Sequence, residues 1–540
     1  MARTTRRPPP TSQAELEVVT AACPGCGRKL TIDYHNRRTL TTLTGVTRYR
    51  LQVRRCHNFA CDLYRRPFRP EAEGRLALPH HEFGLDVVAL VGALRYTEHK
   101  TVPEVHRCLR GRGLAVAQRT ATNLLDRYDE LRALSVADVG RRRDLFTRQG
   151  RVLLAIDGIQ PDVGHEVLWV LRDCISGEVL LARSLLSATQ EDLAGLLTEV
   201  KDSLDGMAVP IGGVVSDGQH SIRNAVAQAL PGVPHQLCHF HYLREAALPI
   251  YEADRHAKKE LKKRVRGVRA IERKVEARDD PLAEVVRGYC AAVRSALTDD
   301  GRPPLEASGL KLEQRLSAIA ASLERLASQG ALPQELGRLR GLLRKGLEET
   351  AALWPEVRAA FKWVHQAARV LGRAEGLSGR QVRFRLRCLL GRVRQEAARL
   401  HKHGKKDQAG RLQHFVKVSD SYDAGLFHCY DVKDLPRTNN ELEQFFGSYR
   451  RLERRISGRK AASAALVVRG AARVVAAVAT RLRVVEGEEL APKDLAEWHE
   501  QRAELNRRRQ ARVRQRRFRR DPQDYLRNLE NLFRQLSLPT

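Results

Sequence analysis

The sequence lacks an uninterrupted apolar run long enough to cross a membrane. Its first ten residues, MARTTRRPPP, contain no apolar signal core, and its most apolar stretch, Ala461 to Thr480, is interrupted by Arg469 and Arg473. These absences argue against a secreted or membrane-spanning chain, so we expect a cytoplasmic protein. Ten cysteines in a reducing compartment are more typical of free thiols or metal ligands than of disulfides.

Negative charge is also scarce. The 540 residues include 64 Asp and Glu against 95 Lys and Arg, which gives a formal net charge of +31. Such an excess favours a long polyanion, DNA or RNA, as the partner over an anionic membrane. The chain is too long for one compact core and predicts three or more domains.

Both ends of the chain are strongly basic. Residues 1–20 are rich in Arg, Pro, Ser and Thr, a composition that predicts a disordered basic arm. Residues 486–540 form a basic C-terminal tail, in which Asn506 to Arg520 reads NRRRQARVRQRRFRR. A run this one-sided repels itself, so we expect it to contact phosphates.

Four cysteines near the N-terminus have the spacing of a zinc ribbon, which we predict for residues 21–70. The CPGC knuckle is followed by a hairpin-like stretch, Leu40 to Val53, and by a second cysteine pair. The second pair has four intervening residues rather than two, so His57 could replace one of its cysteines. Buried free thiols are the alternative to a metal site. The predicted Zn²⁺ ligands are Cys23, Cys26, Cys56 and Cys61.

Residues 82–130 have the pattern of a helix-turn-helix DNA-binding domain. Thr101 to Leu109 and Ala117 to Tyr128 are amphipathic and are separated by a short glycine turn. An ordinary helical hairpin is the alternative. If the second helix enters a major groove, it presents polar side chains to base edges or phosphates. These predicted DNA-binding residues are Gln118, Arg119, Thr122 and Asn123.

Two apolar strands each end in an aspartate that precedes a glycine. They run from Arg151 to Asp157 and from Ile211 to Asp217, and the pattern from 151 to 240 predicts the order β, β, β, α, β, α, β. A single aspartate in this position can also cap a helix or form a turn. Two strand-end carboxylates in one sheet, however, can share a divalent cation such as Mg²⁺.

A Cys-x-x-His pair, Cys238 and His241, follows the second acid. This spacing is also half of a zinc site, but no second C-x-x-C accompanies it. A merely packed cysteine and histidine are the alternative. Residues that could complete a zinc site are His235, His239, His428 and Cys429.

Residues 246–424 contain no run that resembles a strand. The segment is rich in Ala, Leu, Arg and Glu, with breaks at prolines, and predicts an all-helical insertion. Its outward Arg, Lys and Glu predict a solvated surface, and Trp354 and Trp363 predict core positions. We expect no catalytic residue here.

The segments LLAIDG, VVSDG, CHFH and RTNNELEQFF together resemble the catalytic pattern of DDE transposases, nearest the Mutator-like and related bacterial insertion-sequence enzymes. The resemblance implies an α/β ribonuclease H-like catalytic core, 148–245 and 425–485, interrupted by the all-α insertion. It implies Asp157, Asp217 and one glutamate as catalytic ligands of Mg²⁺ or Mn²⁺. It also implies that Cys238 and His241 support the active site.

The third acid is one of two glutamates in RTNNELEQFF, with Asp434 just upstream. If Thr438 is the N-cap of the helix that starts here, Glu441 occupies the capping-box position and has a structural role. Glu443 is then available for catalysis, and it matches the T-x-N-x-x-E spacing of the resembling family. We therefore expect Glu443 to be the catalytic acid.

The expected function is that of a transposase. It would bind the ends of a mobile DNA element as a homo-oligomer on double-stranded DNA, in the bacterial cytoplasm at the nucleoid. Metal-activated water, and then a DNA 3′-hydroxyl, would attack phosphodiesters in cleavage and strand transfer. The alternative is a transposase-derived DNA-binding regulator without strand-transfer activity, and an RNA-binding protein is a third reading.

Overall fold

A computed structural model of the protein describes residues 7–159, 166–299, 301, 305–458 and 464–537. The chain divides into two compact units. The first contains Met1–Ile211, Gln228–Leu230 and Asn440–Thr540, and the second contains Gly212–Ala227 and Pro231–Asn439. The protein is a mixed α/β chain in which helices predominate.

The first unit begins with a small sheet of four strands in the order β1-β3-β2, with β4 paired to β3. β2 and β3 form an antiparallel hairpin around Gly45, whose φ of +131° suits a tight turn. β1 lies in the segment predicted to be a disordered arm, so that prediction is wrong for these residues. The bounds are β1 Ser12–Leu16, β2 Thr31–Thr42, β3 Gly45–Arg55 and β4 Pro67–Phe68.

Five helices follow. The predicted helix, glycine turn and helix are confirmed as α3 and α4, and α3 begins with a capping box between Thr101 and Glu104. α4 continues beyond Tyr128 because its apolar face keeps a helical period and packs against other helices of the unit. The bounds are α1 Glu71–Leu76, α2 Leu85–Tyr96, α3 Val102–Gly111, α4 Gln118–Ala137 and α5 Val139–Gln149.

The order β, β, β, α, β, α, β is confirmed. In the first unit three strands form an antiparallel sheet, β7-β6-β5, and in the second unit β8 pairs in parallel with β9. β5 continues to Ile159, so the strand end predicted at Asp157 is wrong by two residues. The sequence pattern also extends the last strand from His235 to Phe240, whereas β9 ends at Leu237 because a helix begins at His239. The bounds are β5 Val152–Ile159, β6 Val167–Asp173, β7 Val179–Leu185, α6 Gln190–Asp205, β8 Ile211–Ser216, α7 His220–Ala229 and β9 His235–Leu237.

Helices make up the rest of the second unit. In the described residues from Leu248 to Tyr422, every regular element is a helix, which confirms the predicted all-α segment. Trp354 is buried in one of its hydrophobic cores, and Trp363 packs at the edge of another. The bounds are α8 His239–Ala246, α9 Leu248–Arg264, α10 Val268–Val275, α11 Pro281–Thr298, α12 Ser308–Gln329, α13 Gln334–Thr350, α14 Trp354–Gly372, α15 Gly379–Lys402 and α16 Lys406–Tyr422.

The chain ends in four helices of the first unit. α18 packs against α4 and β7, and α17 packs against β5. The basic C-terminal segment forms two helices, and its Trp498 and Leu505 are buried. Within the described residues, no helix combines the length and the apolar character needed to cross a bilayer. The bounds are α17 Asn440–Ser457, α18 Ala464–Leu482, α19 Leu495–Arg520 and α20 Pro522–Ser537.

Candidate functional sites

Four cysteine side chains of the first unit meet at one point, with their sulfurs within 4.8 Å of one another. The Sγ atoms of Cys23 and Cys61 are 3.8 Å apart, and those of Cys26 and Cys56 are 3.6 Å apart. A tetrahedral ion with Zn–S bonds of about 2.3 Å separates its sulfurs by roughly 3.8 Å. A disulfide needs about 2.05 Å. The cluster therefore has the geometry of a metal site.

Local backbone turns build this cluster. The Gly27 amide donates to the Cys23 carbonyl at 2.8 Å, with Gly27 in the left-handed region at φ +71°. A Cβ on Gly25 would lie 3.1 Å from the Cys61 sulfur, so glycine lets the two halves approach. The Leu63 amide donates to the Cys61 sulfur at 3.4 Å. The knuckle sequence thus directs its sulfurs inward.

The thiol pKa values separate in the way expected of crowded acids. The Arg28 backbone amide, more than any other group, lowers the pKa of Cys26 to about 6. The Leu63 amide lowers the pKa of Cys61, but burial and the neighbouring sulfurs outweigh it and raise that pKa to about 12. Four thiolates this close repel one another, so full ionisation requires a cation among them.

His57, the alternative ligand, is exposed and lies outside the cluster. Cys56 is almost fully buried beside Leu30 and Cys61. The four cysteines are therefore the ligand set that the structure brings together.

Asp157 lies on β5 of the first unit, opposite Val170 of β6. The residues before it, Val152 to Ile156, are buried on both faces of the sheet, and Asp157 is the first half-buried residue after them. Its Oδ1 accepts a hydrogen bond of 2.8 Å from the Gly158 amide. The buried apolar residues are therefore followed by one carboxylate at the point where the strand becomes partly exposed.

The helix of the third motif, α17, starts at Asn440. This start is one residue later than a Thr438 N-cap requires, so the predicted capping-box position of Glu441 is wrong. Glu441 has a side chain that is 78% exposed, and it pairs with Arg172 of β6 at 3.3 Å. Glu443 is half-buried on the same helix, which packs against the strand of Asp157. Of the two glutamates, Glu443 has the more enclosed position.

Asp217 follows β8 in the second unit. Its Oδ1 accepts from the Gln219 amide at 2.9 Å, a turn-forming role that the sequence also allowed. Burial raises the pKa of Asp217, although the Gln219 hydrogen bond and the Arg244 and Arg223 charges oppose the rise, and Glu245 adds to it. A half-buried carboxyl with a raised pKa is typical of functional sites.

Cys238 is fully buried directly beside this strand end. Its amide donates to the Ser216 carbonyl at 2.8 Å, and its sulfur accepts from the Asn439 amide at 3.5 Å. A ring nitrogen of His241 lies within 4.8 Å of the sulfur. Burial lowers the pKa of His241 to about 4, so this imidazole is neutral at pH 7. Cys238 is therefore hydrogen-bonded through its backbone to Ser216, the residue before Asp217.

The other histidines near Cys238 have packing roles. The His235 Nε2 is 2.8 Å from the Ser216 hydroxyl, and the His239 Nε2 is 2.8 Å from the Leu426 carbonyl oxygen. The Cys429 amide donates to Gln236 at 2.9 Å. Among the described residues, the candidates for a second zinc site do not join Cys238 and His241 in a metal-binding group: His235, His239, His428 and Cys429.

Three residues around Asp217 were missed in the sequence. The Tyr422 hydroxyl is 2.7 Å from a Glu245 carboxylate oxygen and 3.3 Å from the Asp217 carbonyl oxygen. The Arg223 guanidinium lies 4.3 Å from the centre of the Tyr422 ring. Glu245 was detectable, because it follows His241 by four residues on α8 and so shares its face. Tyr422 was not, since 205 residues separate it from Asp217.

The predicted DNA-reading helix, α4, has one exposed end. Gln118, Arg119 and Asn123 are exposed, and Thr122 is half-buried with its hydroxyl donating to the Gln118 carbonyl at 3.3 Å. The opposite face is fixed to α18 by buried ion pairs. Examples are Arg473 to Asp129 at 3.0 Å and Arg469 to Glu130 at 2.8 Å.

The basic helix α19 is anchored through its first half. The Trp498 indole donates to Glu130 at 3.2 Å, and Arg508 pairs with Glu166. From Arg514 to Arg520 every residue is exposed. The most basic turns of the helix therefore face solvent.

The predicted acids are divided between the units: Asp157 and Glu443 lie in the first, and Asp217 lies in the second with Cys238 and His241. No protein-family model matches the chain, and no curated protein sequence matches it. The chemistry of these residues and their surroundings must therefore carry any functional conclusion.

Proposed function

We propose that the protein is a DNA transposase with a ribonuclease H-like catalytic core. The observation that carries the proposal is the setting of its acids. Asp157 is the first half-buried residue of β5, and Asp217 directly follows β8, each immediately before a glycine. Glu443 lies on a helix packed against the strand of Asp157. Strand ends of α/β folds are where such proteins bind ligands.

The proposed chemistry is cleavage and strand transfer at phosphodiesters. Asp157, Asp217 and Glu443 are the residues that would hold Mg²⁺ or Mn²⁺, whose oxygen preference suits three carboxylates. When bound, such ions stabilise charge on the phosphate and lower the pKa of the attacking hydroxyl. Arg223 and Tyr422 position the Asp217 turn, and neutral His241 can donate or accept one hydrogen bond beside it.

The N-terminal modules supply DNA binding in this proposal. Zn²⁺ at the four cysteines would hold the CPGC knuckle against the second pair, making a zinc ribbon. The exposed start of α4 offers Gln118, Arg119 and Asn123 to a major groove, and the basic turns of α19 offer charge to phosphates. End recognition and catalysis would then depend on different residues.

The test is a cleavage and joining assay with Mg²⁺ or Mn²⁺ on DNA that carries the sequences flanking the gene. Asp157→Ala, Asp217→Ala and Glu443→Gln should each abolish both reactions and leave DNA binding nearly unchanged. Glu441→Gln is the matched control, because this exposed glutamate is two residues from Glu443 on the same helix. It should retain activity.

Two results would overturn the proposal. Cleavage by the Asp157→Ala or Asp217→Ala protein would exclude these acids from the chemistry. Sequence-specific binding of the flanking DNA, with neither cleavage nor joining by the unaltered protein, would instead identify a DNA-binding regulator.

A further inference from the structure

The second unit contains a groove of about 410 Å³ between α14 and α15, in the helical insertion and apart from the candidate sites described above. Four exposed arginines line it, and Val370 and Leu389 contribute apolar surface. We call it the arginine groove. Its arginines are Arg369, Arg373, Arg385 and Arg392.

The two helices form a hairpin that fixes these positions. Phe361 and Val364 of α14, and Val382 and Leu386 of α15, are buried in the same hydrophobic core. Arg369 and Arg373 are four residues apart and Arg385 and Arg392 are seven apart, so each pair stays on one side of its helix. Seven residues span about 10 Å, roughly three base steps along a DNA strand.

Within the described residues, no carboxylate neutralises the charge of the arginine groove. No acidic residue lines it, and none of its four arginines forms an ion pair with a carboxylate in the described part of the chain. Four other arginines of α15, at positions 383, 387, 394 and 399, have carboxylate partners. Arg387 pairs with Asp423 at 2.7 Å, and Arg394 pairs with Asp420 at 2.6 Å.

This difference distinguishes the groove from an ordinary solvated surface. Like charges held within one groove repel, which costs folding free energy unless an anion joins them. Guanidinium groups bind phosphate oxygens in bidentate fashion, and a phosphate chain offers them at regular spacing. A polyanion is therefore the ligand class that suits four arginines that line one groove without carboxylate partners.

A short series of hydrogen bonds connects one end of the groove with the Asp217 strand end. The Arg437 side chain donates to the carbonyl of Gly372, which precedes Arg373, at 3.3 Å. The Arg437 carbonyl accepts from His239 at 3.0 Å, and the adjacent Cys238 amide donates to Ser216 at 2.8 Å. These hydrogen bonds connect the end of the groove with the Asp217 strand end within the second unit.

We propose that the arginine groove binds the sugar-phosphate backbone of duplex DNA. The choice of DNA as the polyanion rests on the proposed function, whereas the phosphate-binding role rests on the groove itself. Contacts of this kind hold a duplex in place without reading its sequence. The insertion would then be a DNA-holding surface in addition to the helix-turn-helix and the basic helix α19.

The test compares two double variants of the full chain. Arg385→Gln with Arg392→Gln removes two groove charges, and Arg387→Gln with Arg394→Gln removes two paired charges from the same helix. The affinity for a mixed-sequence duplex is measured between about 50 and 200 mM salt. The slope of log K against log salt is negative, and the groove variant should reduce its magnitude by about 1.8, or about 0.9 per lost phosphate contact. The paired variant should change the slope much less.

Further measurements make the outcome decisive. Arg385→Lys with Arg392→Lys should restore most of the salt slope, because the charges remain, and thermal melting of each variant checks that it is folded. Equal slopes for the groove and paired variants would overturn the proposal. Stronger competition by duplex RNA than by duplex DNA would overturn the assignment of the ligand.

The two proposals can fail separately. A salt slope of smaller magnitude in the groove variant, combined with no cleavage or joining by the unaltered protein, would support the groove and refute the transposase. Active cleavage that requires Asp157, combined with an unchanged slope in the groove variant, would refute the groove alone.

Discussion

The protein contains two short ligand spacings, Cys23-x-x-Cys26 in the first unit and Cys238-x-x-His241 in the second. The first meets a second cysteine pair and forms a four-sulfur cluster. The second lies among groups whose hydrogen bonds serve packing, such as Ser216 with His235. The comparison shows that a C-x-x-C or C-x-x-H pair supplies only two of the four ligands of a zinc site. Whether a second pair from a distant part of the chain lies nearby determines whether the residues form a metal site.

The largest effect should come from breaking the first spacing. Cys23→Ser with Cys26→Ser should eliminate zinc binding and make residues 21–70 sensitive to protease, because three of the four cysteines are buried in the hydrophobic cluster that holds the knuckle. Structural zinc contributes on the order of 10 kcal/mol in small modules. Metal analysis and limited proteolysis of the purified protein check this. Zinc retained at the level of the unaltered protein would contradict it.

For the segment from Cys238 to His241, we expect an effect on the pH dependence of the free energy of unfolding. Burial lowers the pKa of His239, inside this spacing, to about 4, against about 6.5 in the unfolded chain. Below pH 6.5 the unfolded state binds a proton that the folded state does not. Stability should therefore fall as pH drops from 6.5 to 4, by on the order of 3 kcal/mol from this residue.

Denaturant melts of the unaltered protein and His239→Gln across this pH range measure the effect. The glutamine can still donate to the Leu426 carbonyl but does not titrate, so the loss of stability between pH 6.5 and 4 should be smaller. Equal losses in both proteins would show that His239 is not the group responsible.

A smaller effect is expected from Cys238 itself. Cys238→Ser places a hydroxyl in a fully buried position beside Ser216 and should cost about 1–2 kcal/mol of stability. The zinc content should stay unchanged, because within the second unit this spacing supplies two ligands and structural zinc takes four. Metal analysis beside the Cys23 and Cys26 variant provides the comparison. A lost zinc ion here would make the second spacing a metal site.

Much of the fold could be predicted because the chain marks it locally. Apolar runs that stop at Asp157 and Asp217, followed by glycine, predicted the strand order correctly. Proline breaks and a lack of β-branched runs predicted the helical segment 246–424. The sequence could not indicate that β1 would pair in parallel with β3, because pairing between distant strands leaves no local pattern.

The candidate sites were less predictable, for a physical reason. The surroundings of Asp217 are completed by Tyr422, and the partners of the α15 arginines are Asp420 and Asp423 on α16. Whether an arginine is paired or free depends on such tertiary neighbours. From composition we predicted that the charged residues of the insertion form a solvated surface. The structure shows that some of these arginines have carboxylate partners and others do not.

The smallest expected effect is that of replacing His57, and it tests which residues bind zinc together with Cys23 and Cys26. His57 is exposed and outside the cluster, whereas Cys56 beside it is buried with its sulfur 3.6 Å from that of Cys26. His57→Ala should therefore leave the zinc content unchanged and alter stability by less than about 0.5 kcal/mol, as for most surface substitutions. Cys56→Ser should lose the metal, because three thiolates and an alcohol are a much weaker ligand set. If Cys56→Ser retained zinc and His57→Ala lost it, the ligand would be His57 rather than Cys56.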